Sequence, residues 1–457
     1  MSVLLVHGAT LLTIDPERPD PFVGWFSVGD DGRLLAVEAG EPPAGELAAA
    51  AQTVDADGMI VAPGFVSAHS HLFTSGSRGL GIDQALYGWI QAMTSYTEKA
   101  DAEDIYWTSR HGSQDFLRNG ITTAYDFTDI GLPFSAQSTS SSSYAPGVPP
   151  VDYQHAQLRA KVDAGLRHIH SVMLAQGAFD FDEALGHVDA TMELANAFAD
   201  NPLHLGVAVS GTVQWAESHR TAELEVAAMR RHGIINQPHF LETPFGIEAQ
   251  QDRFAWYRDA GALGPDLIFG HFIQTTPEII AEAAAAGCAM SWQPLSNGRL
   301  ASGVASIPEI RAAGMRVGVG LDDQSCTDNA DPFANTRFGM YLLRAERHDP
   351  TAMLVQDMLI LHTRGSAEAL GIDAHVGSLR VGRFADFLVV DPRDPDTGPV
   401  WDPFGAYVLA CSLRNLKQVW VGGKLTADGA ALTDPESAEV VAQTHERMHR
   451  MARAAGR

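Results

Sequence analysis

Cysteine is scarce in this chain: three residues in 457, Cys288, Cys326 and Cys411, far apart and without a Cys-x-x-Cys pair. That argues against a disulfide framework and against a thiolate zinc site, and it fits a reducing, cytoplasmic setting. Cationic side chains are also short, with 31 Lys and Arg against 56 Asp and Glu for a net charge of -25. Contacts along a nucleic-acid backbone need clustered Lys and Arg, so nucleic acid is not an expected partner. No run of about 18 apolar residues occurs, so no membrane span is expected. Residues 1–15 lack the basic start, apolar stretch and cleavage site of a secretory signal, so export by that route is not expected either. What is present is ordinary globular composition, 45% hydrophobic and 19% charged, in a length that points to one large domain plus a smaller one.

Short apolar runs at both ends read as strands. Residues 3–6, 9–14, 25–28 and 33–37 lie in the first part, with Asp30-Asp31-Gly32 as a turn. Residues 386–390 and 418–421, with Gly422-Gly423 as a turn, match them at the far end. Neither set buries a core alone, so residues 1–62 and 375–435 are expected to form one small β-sandwich domain. Between them, strand-length runs near 66–69, 122–127, 168–173, 204–210, 234–240, 267–272, 289–292 and 317–321 alternate with Ala- and Glu-rich helical stretches. That alternation predicts an α/β fold, a (β/α)8 TIM barrel over residues 63–374, followed by a C-terminal helix at 436–457. Segment 135–150 breaks the rhythm with a Ser-rich run and Pro146, Pro149 and Pro150. It is expected to be loop, a mobile linker or a lid over the barrel mouth.

Catalytic side chains of such a barrel come from the C-terminal ends of its strands, and that rule sorts the histidines. His69-Ser70-His71 ends the first strand, and residues two apart on a strand point the same way, so both imidazoles reach one ion. A His-x-His pair alone says little, since His168-Ile169-His170 repeats it at the start of the third strand, where a structural role is expected. What separates the first pair is its company at other strand ends: His239 on strand five, His271 on strand six and Asp322 after strand eight. Three imidazoles and a carboxylate suit one divalent ion, Zn2+ or Fe2+, with a position left open for water. Such an ion lowers the pKa of water from ~15.7 to about 7. Asp322 is placed both to ligate and to accept the water's proton. Glu242, three residues after His239, is placed to carry a proton to a leaving nitrogen, against the plainer reading of a solvated loop charge. His271 is placed to donate to or polarise the group under attack, against that of a core histidine satisfied by backbone.

Pro63-Gly64-Phe65-Val66-Ser67-Ala68-His69-Ser70-His71 with Arg78-Gly79-Leu80 and Trp89, His239-Phe240-Leu241-Glu242-Thr243, His271, Pro294-Leu295-Ser296-Asn297 with Ser302-Gly303, and Gly318-Val319-Gly320-Leu321-Asp322 run through nearly the whole chain. Together they resemble the amidohydrolase superfamily, in its mononuclear branch of cytosine, guanine and adenosine-type deaminases and s-triazine hydrolases. The resemblance implies that His69, His71, His239 and Asp322 ligate the ion, that Glu242 shuttles protons and that His271 orients substrate or activates water. Trp89, Trp292 and Asn297 are the candidates for substrate contact, with packing as the other reading of Trp292. Glu242 favours the mononuclear branch, because binuclear relatives place a carboxylated lysine on strand four, where residues 206–212 offer none. Relatives of this type often form dimers or larger assemblies.

Two departures bear on substrate. Leu321 stands where the family usually has Thr, followed by Asp323-Gln324-Ser325-Cys326 in place of small residues. Val209-Ser210-Gly211-Thr212 ends strand four without the histidine that adenosine-type relatives often carry. The implied reaction is hydrolysis of a non-peptide C–N bond in a small molecule, foremost deamination of an amino-substituted N-heterocycle. An acyclic amide, carbamate or lactam needs the same ligand set. A catalytically silent ligand-binding relative is at odds with the intact Glu242, His271 and four ligands. His445-Glu446-Arg447-Met448-His449 fits the zinc-binding His-Glu-x-x-His pattern, but no His, Asp or Glu follows it, and it reads as an exposed polar terminal helix.

Overall fold

The computed structural model describes residues 2–128, 134–138, 141–144, 150–174 and 180–456. Each of the eight expected strand positions carries a parallel strand. Phe65–His71, Ile121–Asp126, Arg167–Met173 and His204–Ser210, with the short Asp322–Asp323 at one edge, make a five-stranded sheet. His239–Phe240, Ile268–His271, Ala289–Trp292 and Arg316–Val319 make a four-stranded one. Single parallel bridges, Val209 to Asn236 and Asn236 to Leu267, run from the fourth strand to the sixth through the segment ahead of His239. The fifth strand is only two residues long where seven were expected. Pro238 sits in front of it and has no N–H for a ladder bond.

The chain divides into two compact units, Met1–Ser67 with Gln114–Thr123 and Asp331–Pro435, and Ala68–Ser113 with Ala124–Ala330 and Glu436–Arg457. In the first, both chain ends feed a single nine-stranded sheet. Its order runs Ala431–Leu432, Lys424–Asp428, Leu416–Val421, Phe387–Val390, Ile60–Pro63, Ser2–Leu11, Phe22–Gly29, Leu34–Ala39, with Gln52–Asp55 paired to Ser2–Leu11. Phe26 and Phe387 are three strand spacings apart along this ladder, about 14 Å in a flat sheet, yet their ring centroids lie 4.9 Å apart. The sheet therefore curls over its own core, which holds Leu4, Val6, Phe26, Val28, Phe387 and Trp420.

In the second unit, helix Leu86–Thr97 turns Leu86, Trp89, Ile90 and Met93 to one buried face, the i, i+3, i+4, i+7 spacing of an apolar stripe. Helix Phe181–Asn196 starts at Asp180, whose carboxylate accepts from the N–H groups of Asp182 and Glu183. Helix Ser437–Ala454 buries Val440, Thr444 and Met451, and its Arg447 and Arg450 pair with Asp104. His445 and His449, from the His-Glu-x-x-His match, are exposed on it. His170 and His168 are committed to structure. His170 bonds Lys161 Nζ at 2.8 Å and Gln154 at 2.7 Å, and His168 bonds the Leu166 carbonyl at 2.9 Å. Of segment 135–150, expected as loop, residues 139–140 and 145–149 lie outside the described residues. The described part corrects that expectation, because Phe134–Ser138 and Ser141–Tyr144 pair as an antiparallel hairpin.

Candidate active site

The five strand-end residues singled out above meet in one buried cluster within the second unit. His71 Nε2 lies 3.3 Å from His69 Nε2 and 3.1 Å from His239 Nε2. Asp322 Oδ1 is 3.5 Å from His69 Nε2 and 3.6 Å from His71 Nε2. His271 Nε2 stands 3.9 Å from Asp322 Oδ2 and 3.6 Å from Glu242 Oε1. Register does much of this. Asp322 pairs with Ser70, between the two first-strand histidines, and His239 pairs with Gly270, next to His271. Two glycines permit the close approach: a Cβ on Gly320 would stand 2.6 Å from the His69 Cβ and 2.7 Å from its carbonyl oxygen, and one on Gly270 would press on the His69 ring at 3.1 Å. The chain also bends sharply here, with Leu241, His271, Phe272 and Asp322 all at positive φ. Such non-glycine conformations cost about 1–3 kcal/mol each and persist where surrounding bonds impose them. The His271 N–H donates to Gln293 Oε1 at 3.0 Å, and the Phe272 N–H to the Phe240 carbonyl at 2.9 Å.

Neighbours set the proton on each ring. Gln237 donates from Nε2 to the Ala68 carbonyl at 2.9 Å, which fixes its amide so that Oε1 accepts from His69 Nδ1 at 2.6 Å. His69 Nε2 is then the ring nitrogen that faces the cluster. Asn297 Nδ2 lies 2.9 Å from His271 Nδ1. Phe127 forms the floor: its ring stacks on His71 at 4.6 Å and touches His69 at 4.4 Å and His239 at 4.6 Å. Behind it, Asp126 accepts from the Leu72 N–H at 3.0 Å and from Lys161 Nζ at 2.6 Å, tying strand two to the residue after His71. Glu242 is held at both ends by Gln214, which donates to Oε2 at 3.2 Å and accepts from the Glu242 N–H at 3.2 Å.

Burial drives the protonation states apart. It holds His71 and His239 well below the usual imidazole range, reinforced by the neighbouring rings, and lowers His271 to about 3. Burial also works to raise Asp322, but the His69 hydrogen bond and the three imidazoles win and keep its carboxyl well below the usual range. Glu242 goes the other way, raised well above a normal carboxyl by burial and then by the charge on Asp322. His71 and His239, held below the usual imidazole range, and an ionised Asp322 are the kind of deprotonated donor a divalent cation requires. Three Nε2 atoms converging on one point beside that carboxylate fit such an ion, and two triads, His69 with His239 and His271 and His69 with His71 and Asp322, keep their ligand atoms within 4.8 Å.

A cavity opens onto the cluster. Its reactive end is His71, His239, Glu242, Asp322 and Asp323, and its opposite wall is the apolar face of helix Leu86–Thr97 with Phe73, Trp215 and Leu300. Trp89 stands in that wall. Trp292 does not line the cavity, because it is fully buried inside, and Asn297 does not either, being turned to His271. Sequence reading missed Phe127, Gln214 and Gln237, and it gave Asp323 only as a departure bearing on substrate. For Gln237 a signal exists, since it lies two residues before His239 and shares its side of the strand.

The Amidohydrolase family pattern matches residues 60–426, and the chain belongs to that family. A 5-methylthioadenosine/S-adenosylhomocysteine deaminase from Syntrophobacter fumaroxidans is 29% identical over 99% of this chain and 98% of its own length. A 5'-deoxyadenosine deaminase from Methanosarcina barkeri is 27% identical over 94% of this chain and 93% of its own. Among solved structures, an adenosine deaminase from Xanthomonas campestris with bound zinc shares the fold at TM-score 0.84, 22% identity and 99% coverage of both chains. A variant of atrazine chlorohydrolase from Arthrobacter aurescens, in complex with zinc and atraton, shares it at 0.83 and 20%, covering 97% of this chain and all of that one.

Proposed function

We infer that the protein hydrolyses a non-peptide C–N bond, deaminating an amino-substituted N-heterocycle at a single divalent ion, with Zn2+ favoured because the adenosine deaminase and atrazine chlorohydrolase structures that share the fold carry zinc. His69, His71, His239 and Asp322 would hold the ion. When bound, it supplies Lewis-acid polarisation and an acidified water. The chain's own residues do the rest. Asp322, ionised, takes the proton of the attacking water. Glu242, kept protonated by burial, gives its proton to the leaving nitrogen, so that the water oxygen bonds carbon as the C–N bond breaks and ammonia departs. His271, held rigidly through Gln293 and Asn297, orients the water or the ring nitrogen that gathers charge. Two carboxyls that both approach His271 Nε2, Glu242 at 3.6 Å and Asp322 at 3.9 Å, with pKa values pushed in opposite directions, are the acid and base this reaction needs, and that pairing carries the reading.

The parallel bridges through Asn236 support a closed (β/α)8 barrel over residues 63–374, and the curled terminal sheet supports a small β-sandwich from residues 1–62 and 375–435. The cysteine usage supports a cytoplasmic enzyme, and a homo-oligomer accords with the family. The direct test loads the purified protein with metal and screens aminated pyrimidines, purines, pterins and triazines for ammonia release, with amides and lactams alongside and Glu242→Gln as control. Ammonia from at least one ring, abolished in the variant, is expected. Turnover of amides or lactams alone would replace deamination by amide hydrolysis.

A further inference from the structure

We propose that the cavity selects an aminated heterocycle bearing an apolar substituent over one bearing a polyhydroxylated sugar, and that one face of helix Leu86–Thr97 makes the choice. The proposal rests on the deaminase reading above and names its substrate class. Leu86, Trp89, Ile90 and Met93 follow the i, i+3, i+4, i+7 spacing, are each at most 6% exposed, and all line the cavity. Phe73, Trp215 and Leu300 extend the same surface. The polar side chains His71, His239, Glu242, Asp322 and Asp323 line the reacting end, where His71 Nε2 is 3.1 Å from His239 Nε2, 3.6 Å from Asp322 Oδ1 and 3.7 Å from Asp323 Oδ2. Away from them the described wall offers only the indole N–H groups of Trp89 and Trp215 and the Cys326 thiol. The Trp89 indole N–H donates to the Ser325 carbonyl at 3.2 Å, and Cys326 Sγ sits 3.0 Å from Ser296 Oγ.

A substituent reaching away from the ion therefore enters aromatic and aliphatic surroundings. Burying each methylene there gains roughly fourfold in binding, while each hydroxyl that leaves water without a partner loses roughly tenfold.

Matched pairs test the choice: 9-propyladenine against 9-(2,3-dihydroxypropyl)adenine, 1-propylcytosine against 1-(2,3-dihydroxypropyl)cytosine, and the corresponding propylamino and dihydroxypropylamino diaminotriazines. Ammonia release gives kcat/KM for each on the metal-loaded enzyme. The propyl member is expected to lead by roughly tenfold or more on every ring that reacts, and Met93→Gln to narrow that ratio. Parity, or a lead for the hydroxylated member in the wild type, overturns the proposal and leaves deamination standing. No ammonia from any ring, with the metal content intact, overturns both. Should Met93→Gln not fold, the wild-type ratio still decides, and Leu300→Gln repeats the test at a second point on the same surface.

Discussion

At the residue scale, Gln237 shows how much of the site rests on groups that never touch substrate. Its amide bridges the Ala68 carbonyl and His69 Nδ1, so Gln237→Leu removes what fixes the tautomer of a first-strand ligand. Metal affinity is expected to fall about 10- to 100-fold with the fold retained, read by competition with a chromogenic chelator. An unchanged affinity would reduce Gln237 to packing. The clustering of His69, His71, His239, His271 and Asp322 was legible in sequence because His and Asp at several strand ends are chemically rare company. Gln237, Gln214 and Phe127 were not, since Gln and Phe are ordinary core residues and their roles depend on which strand lies opposite. Asn297 and Trp292 were singled out by motif, but motif does not report side-chain direction: one faces His271 and the other the core.

At the element scale, strand ends carry both the chemistry and the strain. The eighth strand breaks at Gly320 and Leu321, then resumes as Asp322–Asp323 beside the first strand. A Cβ on Gly320 would meet the His69 backbone as well as its side chain, and backbone cannot swing aside. Gly320→Ala is expected to cost about 1–3 kcal/mol of stability and to lower metal content, measured by urea unfolding and elemental analysis. Stability and metal both at wild-type levels would show that the two strands can part without consequence. The terminal helix offers the opposite case. His445 and His449 are exposed, so replacing both with Gln is expected to leave metal content and turnover unchanged. Periodicity read the strand positions well. It missed the early end of strand five, where Pro238 interrupts the ladder, and the hairpin at Phe134–Ser138 and Ser141–Tyr144, where Ser-rich composition resembles a loop.

At the scale of the whole molecule, acid sensitivity is built into both units. His187 is buried, with neither ring nitrogen hydrogen-bonded among the described residues, and burial lowers it to about 4; burial lowers His362 to about 3. Unfolded, both titrate near the ordinary value of about 6.5. Below that pH the unfolded chain binds protons that the folded chain refuses, so stability is full above pH ~6.5 and falls as pH drops toward 4. His187 alone accounts for a loss on the order of 3 kcal/mol. Thermal unfolding between pH 7 and 4.5 is expected to show a falling Tm, and His187→Leu to flatten the slope. An equal slope in that variant would assign the acid lability elsewhere. The net charge of -25 adds self-repulsion above neutrality, which places the stability maximum between the two effects.

The central claim is that one ion and one protonated carboxyl divide the chemistry between them. The measurement that tests it most directly is elemental analysis combined with turnover for the wild type, Glu242→Gln and Asp322→Ala, on the substrate found by the ammonia screen. Glu242→Gln is expected to keep about one ion per chain and lose roughly 10²- to 10⁴-fold in kcat, whereas Asp322→Ala is expected to lose the ion. A Glu242→Gln protein that sheds its metal while turning over normally per bound ion would contradict the account.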